Sequence, residues 1–116
     1  MTDFPYLVYA EQCSAAIVTL NNGPLTTLGA LQGMYQISDP VNGIHSWTSA
    51  SYAIWYSLDI AAWLIASKEY IGTNMCNLYA FADYHELDHP NKTWNYFNGF
   101  NWITTAANDI NITCTS

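Results

Sequence analysis

Short apolar, β-branched and aromatic runs, interrupted every few residues by turn formers, constrain this chain more than any other feature. FPYLVYA (4–10), AAIVTL (15–20), LQGMYQI (31–37) and IHSW (44–47) come first. YAIWYS (52–57), AAWLIA (61–66), NLYAF (77–81), WNYF (94–97), NWIT (101–104) and INIT (110–113) complete the series. Between them stand Asn21-Asn22-Gly23-Pro24, Asp39-Pro40-Val41-Asn42-Gly43 and Asn98-Gly99. Asn-Gly is a preferred hairpin dipeptide because both central residues of that turn need positive φ. Short strands at close, regular spacing predict an all-β fold, a small antiparallel sandwich or barrel. The rival is one helix over 52–70. There Trp55, Tyr56 and Ile60 would crowd every face and leave no polar stripe, so the strand reading is preferred.

With 116 residues the chain is one domain. Its charged fraction is 9%, far below the roughly 25% usual in soluble domains. Two lysines, Lys68 and Lys92, oppose nine acids, for a net charge of −7, and arginine is absent. Phosphate contacts need clustered Lys and Arg, so nucleic acid is excluded as a partner and anionic lipid surfaces are disfavoured. No run of about 18 apolar residues is present, so no membrane insertion is expected. The first residues lack a basic region followed by an apolar one. That leaves an intracellular chain, or a mature one without its leader.

Cysteines occur at 13, 76 and 114. Three thiols allow three single pairings. Pairing Cys13 with Cys114 would tie both ends of one domain and close a loop worth nominally ~4–5 kcal/mol; three buried free thiols is the alternative. We favour the bridge and an oxidising, extracellular or cell-surface location. Asn91-Lys-Thr and Asn111-Ile-Thr are glycosylation sequons, and Asn74-Met-Cys is the rarer cysteine form. Sequons also arise by chance in a chain this rich in Asn and Thr.

Several of these residues fall in a familiar order: Leu31, Gly33, Tyr35; Asn42-Gly43 and Trp47; Ile54-Trp55-Tyr56; Trp63 and Ile65. Trp94, Asn98-Gly99, Trp102, Ile110 and Cys114 follow. The skeleton resembles a small extracellular β-module repeated in modular surface proteins of protists and invertebrates, over about residues 13–114. The resemblance implies an extracellular, disulfide-tolerant, non-catalytic module and transfers no site. Where such modules often carry a Cys-Pro loop this chain has His89-Pro90, which leaves the pairing of Cys76 open.

One motif points elsewhere. His85-Glu86-Leu87-Asp88-His89 spells H-E-x-x-H, in which two histidines one helical turn apart bind zinc and the glutamate polarises water. The motif needs a helix and a third ligand. Pro90 ends any helix at His89, and no histidine follows. His45, the remaining histidine, falls in a predicted strand. We therefore read a polar loop, with Asp83, Glu86 and Asp88 suited at most to weak hold on a hard cation such as calcium. No catalytic residue, metal or cofactor is assigned, since no Ser-His-Asp or Cys-His pattern has supporting context and no phosphate-cradling glycine loop occurs.

Trp47, Trp55 and Trp63 are spaced by eight, as are Trp94 and Trp102. Core and cross-strand packing accounts for most of them. The functional alternative is a sugar-stacking platform of Trp94, Tyr96 and Trp102 rimmed by Asn95, Asn98 and Asn101. Residues 1–12 precede the module at 13–116 as an extended segment. Phe4, Tyr6 and Val8 within it would add a strand either to their own sheet or to a neighbouring copy. The expectation is a non-enzymatic structural or adhesive module whose partners are copies of itself in a filament, with glycan binding as the alternative.

Overall fold

The computed structural model describes residues 13–21, 27–84, 86–89 and 92–115. The expected strand with Phe4, Tyr6 and Val8, the residues of the first turn from 22 to 24, His85, and Asn91 of the first sequon lie outside these. The described chain is all-β. Its strands are β1 (Ala15–Leu20), β2 (Gly33–Val41), β3 (Ile44–Thr48), β4 (Tyr52–Ser57) and β5 (Ala62–Ser67), then β6 (Leu78–Phe81), β7 (Asn95–Phe97), β8 (Trp102–Thr104) and β9 (Ile110–Thr115). They form one antiparallel sheet in the order β8-β7-β6-β5-β4-β3-β2-β1-β9. Eight strands meander in sequence. The last returns to pair with the first over its whole length, from Ala15 opposite Thr115 to Leu20 opposite Ile110.

The turns follow their sequence signals. Asn42 (φ 54°) and Gly43 (φ 83°) both adopt positive φ, the requirement of a two-residue hairpin turn between β2 and β3. Asn98 closes the β7–β8 hairpin: its Oδ1 accepts from the N–H groups of Phe100 and Asn101, both at 2.8 Å. The cluster at 39–43 divides differently from expectation. Asp39 and Pro40 stay in β2, at a register shift between Ser38 and Val41. A bulge is where a proline without an N–H is tolerated within a strand. Ser46 Oγ donates to the Asp39 carbonyl at 2.6 Å.

Alternation sends one set of side chains to the concave face. Val18, Tyr35, Trp47, Ile54, Tyr56, Trp63, Ile65, Leu78 and Ile112 belong to one buried cluster that also holds Leu87 and Trp94. Within it Trp63 stands edge-on to Tyr56 (centroids 5.1 Å) and tilted against Trp47 (5.8 Å). Such a core, shared by residues from β1 to β7 and β9, requires the sheet to curl. The stretch Leu87–Trp94, between β6 and β7, thereby comes to face β9 across a groove. Of the two architectures expected, a sandwich or a barrel, the chain builds a single curled sheet whose end strands, β8 and β9, are not bonded to each other.

β4 and β5 are buried on both faces. On the convex side Ala53, Trp55, Ala62, Leu64 and Ala66 form a second cluster with Val41, Tyr70, Cys76 and Tyr79 packed against it. Trp55 Nε1 donates to the Thr73 carbonyl in the β5–β6 connection at 3.1 Å. This two-sided burial explains why 52–70 reads as apolar all round. The cause is two strands covered on both faces rather than a buried helix.

Cys13 and Cys114 are bridged, with Cα atoms 4.8 Å apart. The bridge joins the start of the described chain to the C-terminal end of β9. Trp47 Nε1 donates to the Cys13 carbonyl at 2.9 Å, locking the junction to β3. Cys76 is free and half-buried. Burial pushes its thiol up to about 11, against a smaller opposing effect of the Leu78 backbone hydrogen bond, so it stays protonated at neutral pH.

Candidate functional site

The outer edge of β9 is the site the architecture leaves open. Asn21 N–H donates to the Asp109 carbonyl at 2.8 Å. In an antiparallel ladder bonded residues alternate, so Asn111, Thr113 and Thr115 direct their backbone groups at β1. Ile110 and Ile112 therefore turn N–H and C=O to the opposite edge, where no described strand pairs with β9. Their side chains are buried in the core beneath that edge.

Next to this edge runs a groove of about 250 Å³, lined on one side by Ile110, Asn111, Ile112 and Thr113 and on the other by Leu87, Asp88, His89, Lys92 and Trp94. Its floor is apolar, because Leu87, Trp94, Ile110 and Ile112 are all buried side chains. The far wall includes Leu87, Asp88 and His89 of the H-E-x-x-H stretch. Its described part is a turn: Glu86 N–H donates to the Asp83 carbonyl and His89 N–H to the Glu86 carbonyl. Asp83 N–H donates to Glu86 Oε1 at 3.0 Å, so that carboxylate serves the loop. Lys92 Nζ donates to the carbonyls of Glu86 (2.5 Å) and His89 (3.0 Å). Burial lowers the Lys92 pKa, against the raising effect of Glu86 and Asp88. Among the described residues no group of three His, Cys, Asp or Glu side chains is placed to hold a metal ion. Leu87, at one of the motif's two variable positions, is the buried one among its described residues.

The expected trio Trp94, Tyr96 and Trp102 does not share a face, which corrects the stacking platform as drawn from the sequence. Tyr96 pairs with Ile103, whereas Phe97 pairs with Trp102. Alternation sends Tyr96 to the concave core with Trp94, leaving neither ring face open, while Trp102 is 48% exposed. The rings that do gather on the convex side are Tyr79, Phe81, Phe97 and Trp102. Trp102 lies edge-on to Tyr79 (5.1 Å) and tilted against Phe97 (5.5 Å), and Tyr79 lies edge-on to Phe81 (5.3 Å). Thr104 Oγ1 donates to Asn95 Oδ1 at 2.7 Å on the same outward face. Sequence reading missed Tyr79, Phe81 and Phe97; alternation within NYF, with Phe97 out of phase with Tyr96, carries the signal.

Asn111 is half-exposed on β9, its Nδ2 donating to the Asn108 carbonyl at 2.8 Å, and Thr113 of the same sequon is exposed. No helix among the described residues is long and apolar enough to cross a membrane. No protein-family model, curated protein or solved structure matches the chain. The likeness to extracellular β-modules rests on its residue pattern alone.

Proposed function

We propose that this chain is a non-enzymatic structural module of the extracellular space that assembles into filaments by strand addition. The observation that carries the reading is the outer edge of β9, which pairs with no described strand, beside an apolar-floored groove. An open edge is a template for another strand, and soluble domains ordinarily shield theirs with charge, proline or a covering segment. Here the edge runs through Ile110 and Ile112, which carry neither charge nor proline; Asp88 and Lys92 stand across the groove, and no described strand pairs with the edge. Residues 4–10 carry no charge and are rich in aromatic and aliphatic side chains, which suits a strand added over an apolar groove. Head-to-tail donation of this kind does not close on itself and produces a fibre. The bridge between Cys13 and Cys114 and the sequon at Asn111 support an oxidising, extracellular setting. Sedimentation and negative-stain microscopy test the assembly. The full chain should form filaments and the chain lacking residues 1–10 should stay monomeric; equal assembly of both refutes the reading.

A second reading, binding of a neutral glycan, is favoured by the convex aromatic cluster. An exposed Trp102 flanked by Phe97 and Tyr79, beside the Asn95 and Thr104 polar pair, offers an apolar ring surface with hydrogen-bonding groups at its margin. Trp102→Ala should then abolish retention on neutral polysaccharide columns; undiminished retention of that variant removes this reading.

A further inference from the structure

We infer that the acceptor is the outer edge of β9 and that it takes residues 4–10 of a second copy, running antiparallel to β9. This rests on the filament reading and adds the direction of the donated strand, its source in a second copy rather than the same chain, and the choice of β9 over β8.

The choice of edge follows from length and floor. The sheet ends on β8 and β9. β8 has three residues, about 10 Å of ladder, and β9 has six, about 20 Å. Residues 4–10 extend over about 23 Å, so β9 can match nearly all of them. Beside β9 lies the groove over Leu87, Trp94, Ile110 and Ile112. Alternate residues of an added strand point to one side about 6.6 Å apart, so Phe4, Tyr6 and Val8 form one row that can enter it. Asn111 and Thr113 alternate with the buried Ile110 and Ile112, so a glycan on Asn111 would project from the other face.

The direction and the partner follow from the disulfide. Cys13 is fixed beside Cys114, and Ser14 N–H donates to the Thr115 carbonyl at 2.8 Å. The chain before Cys13 therefore enters the domain at the C-terminal end of β9. If residues 4–10 lay along their own β9, they would have to run parallel to it and then reverse at the bridge into β1. Every pairing in the sheet is antiparallel. Residues that instead continue outward reach the next copy in the same orientation, meeting its β9 from the Ile110 end and running antiparallel to it. Twelve residues reach up to about 40 Å, sufficient to cross the junction and fill the edge.

The test uses the full chain, with Cys76→Ala in all cysteine variants to remove the free thiol. In wild-type filaments, amide exchange across Ile110–Thr115 should slow by about tenfold or more relative to the monomer, while Trp102–Thr104 is unchanged. Leu7→Cys, out of phase with Val8 and so on the outward face of Thr113, combined with Thr113→Cys and treated with a short bismaleimide during assembly, should give a ladder of covalent multimers. Leu7→Cys with Thr104→Cys should give none. A product cross-linked within one chain shows self-pairing and overturns the inference. Filaments that form with protection and cross-linking at β8 overturn the acceptor assignment but leave the filament reading standing. Absence of any assembly by the wild-type chain overturns both.

Discussion

Tyr35 shows how a single buried polar atom ties stability to pH. Its ring is in the concave core, and its hydroxyl donates to the Leu31 carbonyl at 2.6 Å. Burial raises its pKa well above the ordinary 10.0, with Tyr52 adding repulsion and a Ser49 hydrogen bond opposing. A raised value means the folded state holds the proton more tightly than the unfolded chain. The resulting contribution is whole below pH 10.0 and is lost as pH climbs toward the raised value. Urea unfolding should show no pH dependence from this group near neutrality and a fall in stability in the alkaline range. Tyr35→Phe should fall less steeply there, while losing about 1–3 kcal/mol near neutrality because the Leu31 carbonyl is left unpaired. Tyr35 was recognisable in the sequence as a strand residue, but its partner was not, because a carbonyl acceptor leaves no mark on residue type.

At the scale of elements, the turns separate what residue type declares from what packing imposes. Gly99 sits at φ 103° with open space around it. Gly99→Ala should therefore cost about 1 kcal/mol through backbone strain alone. The β4–β5 turn has no glycine, yet Ala61 adopts φ 54°. It does so because Tyr56 must oppose Trp63 and Ser57 must oppose Ala62. Ala61→Gly should relieve that strain and leave stability unchanged or raised by up to about 1 kcal/mol, since the entropy lost by glycine offsets part of the gain. Opposite signs for the two variants in thermal unfolding would confirm this account. Strand positions were legible because β-branched and aromatic runs alternate with turn formers. β2 was misjudged at its end, where the bulge accommodates Pro40 and carries the strand on to Val41. In WNYFNGFNW the opposite phase of Tyr96 and Phe97 was legible, but which phase faces the core was not, because that depends on the strands packed against it.

For the whole molecule, the bridge between Cys13 and Cys114 spans a sequence separation of 101. Reducing it, or Cys114→Ala, should cost about 2–5 kcal/mol and lower the midpoint of thermal unfolding, measured with and without reductant. Reduction should also release the first residues from the end of β9 and weaken assembly, because the donor segment then loses its fixed point of departure. All-β character, antiparallel pairing and the tie between the ends were readable from residue types and their spacing, since these depend on local backbone preference and on which thiols can meet; the strand order was not. Which faces close over a core, that Leu87, Asp88 and His89 line a groove, and that no described strand pairs with the outer edge of β9 emerge only in three dimensions. They arise from the curl that brings Leu87–Trp94 opposite Ile110–Thr113, a meeting of distant segments that no local pattern encodes.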